Sequence, residues 1–240
     1  VHATSFFGED DELFAVRYQE VENDRLRMAG TVSLGNVEEC LKYLQSRGPK
    51  GEFKDEILDM LRETYHPTKN FSEGLGSWLS RLFEPYGLVL FDALTPGYKR
   101  DLKSLFQVAI SQRSEIVQAL NQRAALLRAK GFSPQVKVSD SESLLFWTEG
   151  ERRYKLEYRG KSGYEKKTNL SAKLSGEELL EALDHEHLAP NVLLRPILQD
   201  HLFPTVAYVG GPSEVAYFSQ IGAISQFWGQ EMTVFPRVGV

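Results

Sequence analysis

Apolar residues recur at three- and four-residue steps through much of this chain, with short alternating or continuous apolar runs between them. Those two periods separate helices from strands. Residues 13–18 and 26–29 read as a short hairpin with Glu22, Asn23 and Asp24 at its turn. Residues 36–47 read as a helix that Gly48-Pro49 ends. A second helix is expected over 53–65, with Phe53, Ile57, Leu61 and Tyr65 on its buried face, broken by His66-Pro67. A third starts at Asn70, where Glu73 completes a capping box, and buries Phe71, Leu75, Trp78 and Leu82. Gly87 closes it, and Leu88 to Asp92 form a nearly continuous apolar run, the pattern of a strand buried on both faces. A helix followed by a buried strand is the grammar of α/β folds.

One long helix is predicted over 98–130, with Leu102, Phe106, Ala109, Ile116, Leu120, Ala124 and Leu127 inside and Gly131 at its end. Strands then follow over 135–138, 143–148 and 153–158, the last two joined by a tight turn at Glu149-Gly150-Glu151. Lys155, Arg159, Lys161, Lys166 and Lys167 make this stretch locally basic, which reads as a solvated sheet face. Ser175 to Glu178 cap a short helix running to about Glu186. A strand at 205–209, the turn Gly210-Gly211-Pro212, a helix over 213–228 and a strand over 232–238 return to α/β grammar. The helix places Tyr217, Ile221, Ile224 and Trp228 on one face. The architecture expected is α/β. Residues 1–95 and 191–240 form parts of the core, and 96–190 are an inserted region of long helix plus antiparallel strands.

Composition narrows the function classes. Hydrophobic residues make up 42% of the 240 and charged residues 25%, enough for a buried core. The net charge of -5 argues against a nucleic-acid partner. No apolar run is long enough to span a bilayer, and no signal-peptide pattern opens the chain. A single cysteine, Cys40, excludes an internal disulfide and fits a reducing, cytoplasmic setting; beside Leu41 on an amphipathic helix it is expected buried and inert. The chain opens Val1-His2-Ala3 and closes on a strand pattern, so a fragment of a longer protein is expected.

Candidate chemistry concentrates in one segment. Gly210 and Gly211 allow positive φ and close approach to a ligand, and Pro212 suits a first helical position. Free N–H groups at such a helix start favour an anion or a hydroxyl acceptor, and Glu214 in the first turn reaches the same pocket. Upstream, Arg195 and Gln199 share a helix face, where the Arg195 fork can clamp a carboxylate or phosphate. Asp200 can orient that fork or accept from a substrate amine or hydroxyl. The same residues are also compatible with an ordinary strand-to-helix turn and an Arg–Asp pair that fixes a loop. His185 and His187 point to different sides of a helix, so no metal site is expected there, and His66 reads as a helix-end residue bound to the last carbonyls.

The run from Leu194 to Tyr217 contains Arg195-Pro196-Ile197-Leu198-Gln199-Asp200, then Pro204-Thr205-Val206-Ala207-Tyr208-Val209-Gly210-Gly211-Pro212-Ser213-Glu214. It closely resembles the cysteine-adding enzymes of bacillithiol biosynthesis, the BshC family. The stretches from Leu61 to Pro67 and from Tyr86 to Asp92, and Pro236-Arg237, are also similar to it. The resemblance implies a Rossmann-like core of the class I synthetase and nucleotidyltransferase kind with an inserted connecting region. It implies a ligase that adds cysteine to glucosaminyl-malate, with ATP or another nucleotide as cofactor and no metal. It also implies that Gly210, Gly211 and Glu214 line the pocket and that Tyr208 and Tyr217 wall it, while no residue is assigned a catalytic role. The family's first nucleotide-binding strand with its Gly-Gln-Gln loop, its acidic-histidine stretch and its dimerising C-terminal coiled coil are not recognised in these residues, which read as the middle of such a protein. Two alternatives stay open: a non-catalytic α/β binding or assembly module, and a nucleotidyltransferase-like enzyme with another substrate.

Overall fold

The computed structural model describes residues 4–7, 31, 33–35, 37–48, 50–93, 95–167 and 173–231. The expected hairpin over 13–29 and the strand over 232–238 lie outside the described residues. The chain forms two compact units, Val1–Thr95 and Pro96–Val240.

In the first unit, strands β1 (Thr4–Phe7) and β2 (Val89–Asp92) pair in parallel, with Phe7 opposite Asp92. Helices α1 (Glu38–Arg47), α2 (Lys54–Thr64) and α3 (Phe71–Phe83) precede β2. The α3 start is as the sequence predicts: Asn70 Oδ1 accepts from Glu73 N–H at 2.8 Å, and Asn70 N–H donates to Glu73 Oε2 at 2.9 Å. Gly87, at φ 66°, ends the short 3₁₀ turn Glu84–Tyr86 that follows.

The buried faces of this unit differ from expectation in four places. Phe53 is 63% exposed and Ile57 is exposed too, whereas Leu58 is buried; α2 carries two overlapping apolar lines, and packing selects the one through Leu58 and Leu61. On α3 the fully buried positions are Ser72 and Gly74, and Leu82 is exposed. A Cβ on Gly74 would come within 2.8 Å of Leu34 and 3.0 Å of Tyr65, so close approach rather than side-chain bulk sets this contact. Strand β2 is not buried on both faces: Val89 is exposed and the rest half-buried, in keeping with the single neighbour strand it has among the described residues. Cys40 is likewise exposed, because α1 turns the adjacent Leu41 inward and neighbours on a helix point about 100° apart. His66 binds Thr68 Oγ1 at 2.8 Å rather than a helix carbonyl; the Thr64 carbonyl is met by Lys69 Nζ at 3.3 Å.

The second unit begins with α4 (Tyr98–Asp101), α5 (Lys103–Ser111) and α6 (Arg113–Ala129) where one helix was predicted. Leu102 and Gln112 leave helical geometry at φ near -96° and -104°. The apolar stripe nonetheless holds: Leu102, Phe106, Ala109, Ile116, Leu120, Ala124 and Leu127 are all buried. Residues of α5 and α6 from Leu105 to Leu120 share one core with Leu102. Gly131, at φ 82°, closes α6.

Strands β3 (Glu142–Glu149), β4 (Arg152–Tyr158), β5 (Tyr164–Lys166), β6 (Lys173–Leu174) and β7 (Leu188–Pro190) build an antiparallel sheet in the order β6-β5-β4-β3-β7. Gly150 makes the β3–β4 turn at φ 58°. Four cations of the basic stretch are paired locally: Lys155 with Glu142, Arg159 with Glu157 and Glu165, Lys166 with Glu149, and Lys167 with Glu157. Residues 135–138 are not a strand. The buried Gln220 amide takes the place of a neighbouring strand, accepting from Val136 N–H at 2.8 Å and donating to its carbonyl at 2.9 Å.

Helix α7 (Gly176–Ala182) has the expected Ser175–Glu178 capping box but stops four residues early, where the chain turns and Glu186 adopts φ 60°. Helices α8 (Arg195–Leu202) and α9 (Pro212–Ile221) complete the unit, followed by the 3₁₀ turn Ser225–Trp228 instead of a continuous helix to Trp228. Ile197, Leu198, Tyr217, Phe218, Ile221 and Ile224 join Leu144, Leu145, Leu156 and Leu188 in one core. Residues 205–209 carry only a single bridge position, Ala207, and Val206 is 87% exposed. Strand propensity there is not matched by a ladder among the described residues.

Candidate functional site

Two helix starts and the loop between them bring most of the candidate residues together. Helix α8 opens with Arg195 and Pro196, and proline needs no N–H partner in a first turn. One turn later Gln199 lies below Arg195, and Arg195 Nη1 donates to its Oε1 at 3.0 Å. The other arm of the fork, Nη2, donates to the Tyr217 hydroxyl on α9 at 2.7 Å. Gln199 and Tyr217 are buried and Arg195 half-buried, so the guanidinium is held by two fixed partners. Asp200 is the next residue of α8 and is half-buried.

The turn into α9 is organised around Glu214. Its Oε2 accepts from Gly211 N–H at 2.8 Å, so a carboxylate already sits at the positive end of this helix. Its Oε1 accepts from the Tyr208 hydroxyl at 2.6 Å, a charge-assisted bond. Neither Gly210 nor Gly211 adopts positive φ; Gly211 is extended at φ -70° and ψ 171°. Gly210 is needed for another reason. A Cβ there would lie 2.9 Å from Tyr208 Cε1 and 3.0 Å from Glu214 Cβ. At Gly211 the nearest atom would be Glu214 Oε2 at 3.9 Å, ordinary contact.

Phe218, which the sequence reading did not single out, packs between the two tyrosines, with ring centres 4.7 Å from Tyr208 and 5.3 Å from Tyr217. Its apolar position on the inner face of α9 offers no chemical signal in the sequence. Burial raises the Tyr208 pKa, and the bond to Glu214 raises it further. Tyr217 is raised by burial as well, while the Arg195 charge pulls it back. Both hydroxyls therefore stay protonated at neutral pH.

The result is a polar line from Gln199 through Arg195 to Tyr217, beside a second line from Tyr208 through Glu214 to the Gly211 amide. A fixed cation stands at one end and a fixed carboxylate at the other, with two neutral hydroxyls near them. Such a surface can orient a small molecule that carries both an anionic group and a hydrogen-bond donor. His187 is engaged elsewhere: it stacks on Trp147 at 5.0 Å and bonds the Thr148 carbonyl through Nδ1 at 2.9 Å.

Comparison with known proteins places this chain in a family. A relative from Koribacter versatilis named "Putative cysteine ligase BshC" is 38% identical over 184 residues, 75% of this chain and 34% of the relative. One of the same name from Salinibacter ruber is 29% identical over 234 residues, covering 96% of this chain and 42% of the relative. One from Chloroherpeton thalassium is 30% identical over the whole chain, which covers 43% of it. The chain thus spans from a third to less than half of these relatives. The family profile described as "Bacillithiol biosynthesis BshC, N-terminal Rossmann-like domain" matches residues 1–238, and the chain belongs to that family.

Proposed function

We propose that the protein containing this chain joins cysteine to glucosaminyl-malate through a carbon–nitrogen bond, and that the Arg195–Glu214 cluster forms one wall of the site. The supporting observation is the pairing of a doubly held guanidinium with a doubly held carboxylate across two tyrosine hydroxyls. An amino acid such as cysteine carries the complementary pair, a carboxylate for Arg195 and an ammonium for Glu214. Asp200 offers a second carboxylate for an amine or for ribose hydroxyls. An anion arriving at the Gly211 amide would compete with Glu214, so in this reading the anionic end of the ligand goes to Arg195.

In the reaction the glucosaminyl amine attacks the cysteine carboxyl carbon, a C–O bond breaks and the amine gives up a proton. ATP or another nucleotide would supply the leaving group on that carboxyl. The proposal keeps residues 1–95 and 191–240 as the α/β core and 96–190 as its insertion. It also keeps a cytoplasmic setting and a homodimer in the longer protein.

Calorimetric titration with cysteine, ATP and glucosaminyl-malate tests the reading. Saturable cysteine binding that Arg195→Met and Glu214→Gln each weaken supports it. Absence of binding by all three, in a protein spanning the relatives' full length, overturns it.

A further inference from the structure

Gln199 and Tyr217 hold the guanidinium of Arg195, so the backbone of that residue decides where the fork can reach. Arg195 N–H donates to the Asn191 carbonyl at 2.9 Å. Asn191 is only 7% exposed, and all its polar groups are engaged. Its Oδ1 accepts from Leu193 N–H and Leu194 N–H, each at 3.0 Å, which ties down the turn that leads into α8. Its Nδ2 faces Glu142 Oε1 at 3.5 Å, and its own N–H donates to the Leu144 carbonyl at 2.8 Å. A short side chain whose oxygen reaches N–H groups two and three residues on is what asparagine supplies at such a turn.

The strand on the far side of Asn191 is strained. Leu144 is fully buried at φ 65°, and the β3–β4 register shifts between Glu142 and Phe146. A bulky residue keeps this conformation only where its surroundings over-determine it, and such places gather at binding and catalytic sites. Here the surroundings are specific. Arg113 Nε donates to the Glu142 carbonyl at 2.6 Å, and the buried Ser143 hydroxyl donates to the Leu156 carbonyl at 2.6 Å. Pro190, the last residue of β7, has no N–H, and Asn191 supplies the next bond to β3. The fixed bulge thus leads to Asn191, and Asn191 leads to Arg195.

We infer that Asn191, anchored on the Leu144 bulge, is a positioning residue that places the Arg195 fork for its anionic ligand. The inference rests on the reading that Arg195 receives the cysteine carboxylate. A buried cap with a purely structural role stabilises the fold whether or not Arg195 is present. A positioning residue differs: its effect on ligand affinity disappears once the fork is gone, which a double-mutant cycle measures.

Cysteine is titrated calorimetrically into a protein spanning the relatives' full length, as wild type, Asn191→Ala, Arg195→Met and the double variant. Asn191→Ala should weaken binding roughly tenfold, a coupling usual within one hydrogen-bond network, with wild-type helix content. In the Arg195→Met background it should change the affinity no further. If Asn191→Ala does not fold, Asn191→Asp takes its place in the cycle. It keeps an oxygen for Leu193 and Leu194 N–H but sets a second carboxylate against Glu142, so it should weaken binding only where Arg195 is present. Suppose Arg195→Met weakens binding while the Asn191 variant does not, or the two losses simply add. Either result overturns this inference and leaves the proposed function standing. An Arg195→Met variant that binds cysteine like wild type overturns the role of Arg195 and this inference with it.

Discussion

The Tyr208 hydroxyl donates to Glu214 Oε1 at 2.6 Å, and the same carboxylate caps α9 through Gly211 N–H at 2.8 Å. One side chain thus closes the loop and the helix start together. Tyr208→Phe should cost about 1–3 kcal/mol, the range for leaving a charged, half-buried acceptor without its donor. Urea unfolding of the variant measures this, and an unchanged midpoint would show that the bond contributes nothing to the fold.

Gly210 and Gly211 should respond differently to the same change. Gly210→Ala forces its Cβ to within 2.9 Å of Tyr208 and 3.0 Å of Glu214, and overpacking of this kind costs about 1–3 kcal/mol. Gly211→Ala meets nothing nearer than 3.9 Å and keeps a φ that alanine tolerates. Its cost, a few tenths to about 1 kcal/mol, is that of alanine at an N-cap. Thermal melts of the two variants should separate clearly, and equal destabilisation would contradict the packing argument.

The sequence made this turn legible as a place, but not for the right reason. A glycine pair suggested positive φ, whereas the backbone is extended and Gly210 is required by the bulk around it. Capping boxes at Asn70 and Ser175 were readable because their chemistry is local, within three residues. The buried stripe from Leu102 to Leu127 was readable because its period survives two helix breaks. The breaks were not visible, since Leu102 and Gln112 are tolerated in helices. Residues 135–138 look like a strand in composition, and nothing local says that Gln220, 84 residues later, supplies their partner.

Replacing Arg195 by lysine should lose one of two anchors, because an ammonium cannot span Gln199 and Tyr217 as a planar fork does. A destabilisation of about 1–2 kcal/mol is expected, together with weaker binding of anionic ligands. Denaturant unfolding and cysteine titration on the same sample check both effects.

Tyr164 predicts how stability falls at high pH. Burial raises its pKa from 10.0 to about 12, and its hydroxyl donates to the Ile110 carbonyl at 3.2 Å. Between these values the unfolded chain loses the proton and the folded chain keeps it. Its contribution is therefore complete below about pH 10 and lost as pH rises through about 12. Tyr164→Phe should lose less stability across this window than the wild type, as read by urea midpoints at pH 9 and above. Identical slopes would contradict the assignment.

The central claim is that Arg195 and Glu214 hold the two ends of the amino-acid substrate. The most direct measurement is mass-spectrometric detection of the cysteine adduct of glucosaminyl-malate, made by the full-length protein with and without Arg195→Met and Glu214→Gln. Each variant should lose roughly a hundredfold or more, as expected when a positioning contact is removed from a reacting ligand, with the fold intact by circular dichroism. Adduct formation at the wild-type rate in either folded variant would contradict it.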